Sequence, residues 1–216
     1  MGGNARVATG LDMLVAESFS RLKGRKVGLI ANPSTVDSRL RHAIDLLHGT
    51  SGVELVRLFG PEHGLRGELQ DMIGVGSETD PRTGLPIVSL YADDAESLKP
   101  KVSDLEDLDC LVFDLQDVGS RYDTFAATML YAMESAAEAG CSFLVLDRPN
   151  PLGGVRVEGP SIEPGFESFI GAYPLPIRHG MTVGELALLF RSERGLDLDL
   201  EVVRCEGWSR EMLWPE

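Results

Sequence analysis

Short apolar runs recur along the chain, and between several of them apolar residues fall at helical spacing. Residues 26–31 (KVGLIA) and 85–91 (LPIVSLY) read as strands, and 53–59 (VELVRLF), 109–115 (DCLVFDL) and 142–146 (SFLVL) as buried strands. Residues 198–204 alternate apolar and acidic positions, the pattern of a half-exposed edge strand. Residues 10–22 carry Leu11, Leu14, Val15, Phe19 and Leu22 close to helical spacing. Ser38 reads as the N-cap of a helix to about His48, with Leu40, Ala43, Ile44 and Leu47 on one face. Residues 122–139 form the clearest helix, apolar along Phe125, Met129, Met133, Ala136 and Ala137 and stopped by Gly140. Thr182 and Glu185 make a capping box for a helix to about Arg194. Residues 95–102 predict a short helix interrupted at Pro100, while 68–84 and 147–169 read as irregular polar segments. Strand, helix and strand repeat in turn. That order predicts an α/β fold over residues 1–216, a Rossmann-like, mostly parallel sheet with helices on both faces.

Parallel strands share a direction, so their outgoing loops gather on one edge, where open α/β sheets bind ligands. Those loops are Asn32-Pro33, Glu62-His63, residues 116–121 (QDVGSR) and residues 147–151 (DRPNP). Each has a bland alternative. Glu62 and Arg66 could form a surface pair. Asp114, inside an apolar strand, could cap a helix or pair with Arg148. Asp147-Arg148 could be an internal ion pair, and Pro149-Asn150-Pro151 a rigid turn. Arg178-His179 could be exposed, and His42 and His48 read as surface residues of a helix.

The formal net charge of -14 argues against a nucleic-acid or anionic-membrane binder, because phosphates call for a basic face. No apolar run approaches a membrane span. The opening MGGNARVATG lacks the apolar core of a signal peptide, which points to a cytoplasmic location for the chain as given and leaves an exported form open. Cys110, Cys141 and Cys205 are widely spaced, which predicts buried free thiols. His63, His179, Asp114 and Asp117 have no diagnostic metal spacing, and no P-loop, GxSxG, HExxH or dinucleotide fingerprint is present. No metal or cofactor is expected.

FGPEHGLRG, DLQDVGSR, LDRPNPLGG, VEGPSI and YPLPIRHGMTVGELA, in that order from about Gly10 to Trp208, resemble the NamZ/YbbC-type exo-β-N-acetylmuramidase family of bacteria. The resemblance implies a Rossmann-like N-terminal catalytic domain, followed in the family by a smaller C-terminal domain that is expected to be absent from this chain. It also implies release of N-acetylmuramic acid from the non-reducing end of peptidoglycan fragments. The chain departs from the family at Asp123, where an aromatic residue is usual.

A glycosidase needs a proton donor and a group that stabilises or attacks the anomeric carbon. By the family's most distinctive motif, Glu62 is the expected general acid, with His63 orienting it or donating to the sugar. Asp117 is the expected second carboxylate and Asp114 the fallback. The lactyl carboxylate of muramic acid suits a guanidinium from Arg121, Arg148 or Arg178. Asn150 and His179 are expected to bind hydroxyls or the acetamide, and Asn32 and Asp114 are further expected substrate contacts. An apolar surface near Leu213 and Trp214 would suit a homodimer contact. The alternative is a non-catalytic Rossmann-like module that binds an amino sugar or nucleotide on the same polar edge.

Overall fold

The computed structural model describes residues 7–61, 65, 78–90 and 98–214. Among them run strands β1 (Lys26–Ile30), β2 (Glu54–Gly60), β3 (Glu78–Thr79), β4 (Pro86–Ser89), β5 (Cys110–Phe113), β6 (Ser142–Leu146) and β7 (Leu200–Val203). They form one sheet in the order β3-β4-β2-β1-β5-β6-β7, parallel except at the β3–β4 edge. From β1 the chain builds outward through β2 to β4, then returns to β5 and builds the other way. The order reverses between β1 and β5, the switch point where the loops diverge and leave a crevice. Ile30 is in register with both Phe59 and Phe113, so the ends of all three central strands lie level.

Successive strand side chains face opposite ways and enter two separate cores. Leu29 and Val112 meet α1 (Gly10–Ala16) and α2 (Ala43–His48) on one face. Ile30, Phe113 and Phe143 meet α3 (Phe125–Ala139) and α4 (Val183–Glu193) on the other. Both faces are covered, so the strands read as continuous apolar runs. Met129, Leu130 and Met133 of α3 are fully buried, and each contributes about 1.5–3 kcal/mol. Gly140, at φ 69°, stops α3 in the left-handed region, and Thr182 and Glu185 close the capping box of α4. Cys110 and Cys141 are buried free thiols, and Cys205 is a half-buried one.

Several helix expectations need correction. α1 stops at Ala16, because Ser18 and Phe19 adopt φ 53° and 56° to turn the chain toward β1. Phe19 and Leu22 remain buried beyond the break, which preserves the helical spacing in the sequence. Ser38 caps nothing. Asp37 Oδ1 captures the Arg39 and Arg41 N–H groups, and this local turn competes with helix formation. Leu40 is therefore 83% exposed, and α2 begins at Ala43, with His42 Nδ1 accepting the Ile44 N–H. His42 is accordingly a cap and not a bystander on a helix surface. α3 begins at Phe125 rather than at 122, since Ser120 bridges to Arg178 and Asp123 binds the loop before it. Within 68–84, Glu78–Thr79 is an edge strand. At the end of 95–102, Val102–Asp104 is a 3-10 turn, and residues 91–97 lie outside the described residues. Among the described residues, no helix is long and apolar enough to cross a membrane.

Candidate functional site

The loops at the switch point are laced together by short polar side chains. Asn32 Oδ1 accepts from the Ser34 N–H (2.9 Å) and hydroxyl (2.6 Å), a tight turn directly after β1. Thr35 Oγ1 accepts from the Asn32 N–H (2.9 Å) and donates to the Asp114 carbonyl (2.5 Å). The Gln116 N–H reaches Ser34 Oγ at 3.2 Å. Gln116 Nε2 donates to the carbonyls of Asp117 (2.6 Å) and Pro149 (2.9 Å), which ties the β5 loop to the β6 loop.

Among the buried carboxylates described on this edge, Asp114 and Asp117 each keep one oxygen without a hydrogen-bond partner. Asp114 is fully buried, and its Oδ1 accepts from Arg148 Nε at 2.6 Å. Its Oδ2 has no hydrogen-bond partner. Burial pushes the Asp114 carboxyl above its ordinary value, and the adjacent Arg148 guanidinium pulls the other way. Asp117 Oδ1 accepts from the Gly119 N–H (2.6 Å) and lies 3.2 Å from His179 Nε2. Asp117 Oδ2 is buried without a donor, and His179 Nε2 has no well-aligned acceptor. Buried polar atoms left open like this are rare and mark a place where a water or a ligand hydroxyl would complete the bonding.

Asp123 stands close enough to Asp117 to feel its charge. Burial first, and Asp117 second, raise its carboxyl to about 6, against the pull of the Val118 and Phe125 N–H groups and His179. The sequence marks Asp123 only as a departure from the family motif. Its approach to Asp117 follows from the Gly119 turn, which no periodicity reveals.

The remaining residues divide by what holds them. Asn150 Nδ2 donates to the Met181 carbonyl (2.9 Å), and its Oδ1 accepts from the Leu152 N–H (2.8 Å). Arg121 Nη1 donates to the carbonyls of Pro160 (2.8 Å) and Leu175 (2.6 Å). Arg178 pairs with Glu158 at 2.6 Å and also donates to the Leu152 carbonyl. These two arginines pin the irregular excursion after β6. Arg148 does not pair with Asp147. Asp147 Oδ1 instead accepts the N–H of Arg148 (3.0 Å) and of Gly184 (2.8 Å) in the first turn of α4. His179 is buried rather than exposed, and Nδ1 accepts the Met181 N–H at 3.3 Å. Glu62, His63 and Arg66 lie outside the described residues; the chain leaves β2 at Gly60 on this same edge.

A cavity of about 600 Å³ opens beside the switch point, lined by Ser34, Gln116, Arg148 to Pro151, Trp208 and Met212 to Trp214, among others. The aromatic wall comes from an irregular C-terminal segment that carries no sequence signal for a site. Leu213 and Trp214 are also exposed. Among the described residues no group of three His, Cys, Asp or Glu side chains is arranged to hold a metal ion.

Residues 27–216 match the family model described as exo-beta-N-acetylmuramidase NamZ, N-terminal. The chain belongs to this family. It is 48% identical over 207 residues to the peptidoglycan beta-N-acetylmuramidase NamZ of Bacillus subtilis, an alignment covering 96% of the chain and 49% of that protein. Two crystal structures of DUF1343 family proteins from Bacteroides fragilis share the fold. One superposes with a TM-score of 0.89 at 43% identity, covering 98% of the chain and 53% of its own. The other gives 0.82 at 33% identity, covering 97% and 55%. The chain thus spans about half the length of these relatives. The family motifs DLQDVGSR and LDRPNPLGG supply the two laced loops, and RHG places His179 against the first.

Proposed function

We propose that this chain is the Rossmann-like catalytic part of an exo-β-N-acetylmuramidase that acts on peptidoglycan fragments. The observation that carries the reading is Asp117. It is a buried carboxylate on the ligand-binding edge, fixed through one oxygen by Gly119 and opposed by His179, with its other oxygen free of donors. That is the state of a group waiting for a substrate atom, in a chain nearly half identical to a peptidoglycan β-N-acetylmuramidase.

In this reading Glu62, on the motif that follows β2, protonates the leaving oxygen, and His63 orients it. Asp117 stabilises positive charge at the anomeric carbon or orients the 2-acetamido group if that group attacks. The test is hydrolysis of para-nitrophenyl β-N-acetylmuramide, with the glucosaminide as control. Turnover of the muramide that disappears in Glu62→Gln while sugar binding persists supports the assignment. Full activity in Glu62→Gln removes Glu62 from the mechanism.

A further inference from the structure

Arg121, Arg148 and Arg178 stand on the ligand edge; Arg121 donates to two carbonyls and Arg178 to Glu158 and the Leu152 carbonyl, each with a buried Nε left without a partner, and neither lines the cavity beside the switch point. Arg148 differs. Its Nε is bound to Asp114 (2.6 Å) and its Nη2 reaches the Val36 carbonyl (3.3 Å), while among the described residues no hydrogen bond engages Nη1. The residue is only 4% exposed, yet it lines the 600 Å³ cavity. We propose that Arg148 is the specificity-determining residue that receives the lactyl carboxylate of the sugar, with its ether-linked side arm lying in this cavity. The inference rests on the muramidase reading and adds to it which surface tells a muramic from a glucosamine residue.

The geometry favours this in three ways. Two bonds already fix the guanidinium plane, so little side-chain freedom remains to be lost on binding. Trp208, Met212 and Pro151 make the neighbouring wall apolar, which suits the lactyl methyl and a sugar face and strengthens a directed hydrogen bond. A sugar without the carboxylate would bury Nη1 unpaired, which is how a polar site rejects a smaller analogue. Asp114 neutralises part of the arginine charge, so recognition comes through the directed donor and the preference is moderate.

The experiment is calorimetric titration of the chain with N-acetylmuramic acid, its lactyl methyl ester and N-acetylglucosamine. The acid should bind about tenfold more tightly than either of the others, the scale of one charge-assisted hydrogen bond. The comparison is made on the unaltered chain and so depends on no variant folding. In Asp114→Asn/Arg148→Gln, which removes both members of the pair together, the preference should vanish. Equal affinity for acid and ester overturns the proposal. So does a preference that survives the double substitution, or no binding of the acid up to about 10 mM. Preference for the acid without turnover of the muramide leaves the subsite standing and removes the hydrolase reading. Turnover without that preference does the reverse.

Discussion

His179 Nε2 lies 3.2 Å from Asp117 Oδ1, and the bond from the Met181 N–H to Nδ1 fixes which ring nitrogen faces the carboxylate. Because Nδ1 is the acceptor, the proton of the neutral ring sits on Nε2, toward Asp117. His179 is thereby a positioning residue for Asp117. In the proposed mechanism, His179→Ala should lower kcat for the muramide by roughly 10- to 100-fold and change KM little, since it loosens the carboxylate assigned there to the transition state. His179→Gln, whose amide can still donate, should recover part of that loss. A purely structural role would instead move kcat and KM together with thermal stability, and Gln would give no selective recovery.

Asp114 and Arg148 form a pair with 0% and 5% side-chain exposure. Removing one member strands the other charge, so Arg148→Gln alone should cost about 3–5 kcal/mol. Asp114→Asn/Arg148→Gln should cost much less than the sum of the two single changes, because neither charge is left alone. Urea denaturation of the four proteins in the cycle measures the coupling. Strict additivity would show that the pair is not the unit it appears in the fold.

The strands were legible because both faces of the sheet are covered, which writes β5 and β6 as unbroken apolar runs. The convergence of Asn32, Asp114, Asp117 and Arg148 follows from that alone, since parallel strands put their exits on one edge. What could not be read is partnership across loops. Asp147 and Arg148 are adjacent in sequence, yet Asp147 holds the Gly184 N–H and Arg148 turns to Asp114. Spacing carries no information about such bonds, because they depend on how two loops cross. The start of α2 is hidden from the sequence for a related reason: a single carboxylate, Asp37, diverts the backbone N–H groups that a helix would otherwise use.

Asp123 gives a pH dependence with a definite sign. Its carboxyl sits at about 6 in the folded chain against an ordinary value of 3.8, so the folded state binds this proton more tightly than the unfolded state. Its contribution to stability is fully present below about pH 4 and is lost as pH rises through about 6. Asp123→Asn should therefore be more stable than the parent at pH 7.5, by on the order of 1 kcal/mol once screening at this partly exposed group is allowed for. Near pH 4 the two should converge. The difference between variant and parent isolates Asp123 from Asp12 and Asp37, whose carboxyls are held low and act in the opposite sense. A variant that tracks the parent across the whole range would show that Asp123 ionises freely.

Gly119 is where the DVGSR motif meets the DRPNP loop. Its φ is +82°, and a Cβ there would stand 2.2 Å from Asn150 Oδ1. Asn150 cannot yield cheaply, since it holds the Met181 carbonyl and the Leu152 N–H at once. Gly119→Ala should therefore cost about 2–4 kcal/mol through backbone strain and the displaced amide. At this chain length each kcal/mol lowers the melting temperature by about 2–4 °C. Gly84, at φ +72° with nothing within 4 Å of its would-be Cβ, is the control. Gly84→Ala carries the left-handed penalty without the clash and should cost about 1–2 kcal/mol. Because Asn150 also fixes the carbonyl beside His179, Gly119→Ala should weaken sugar binding as well, whereas Gly84→Ala should not. Equal melting temperatures for the two variants would mean that the contact between Gly119 and Asn150 does not hold the two loops together.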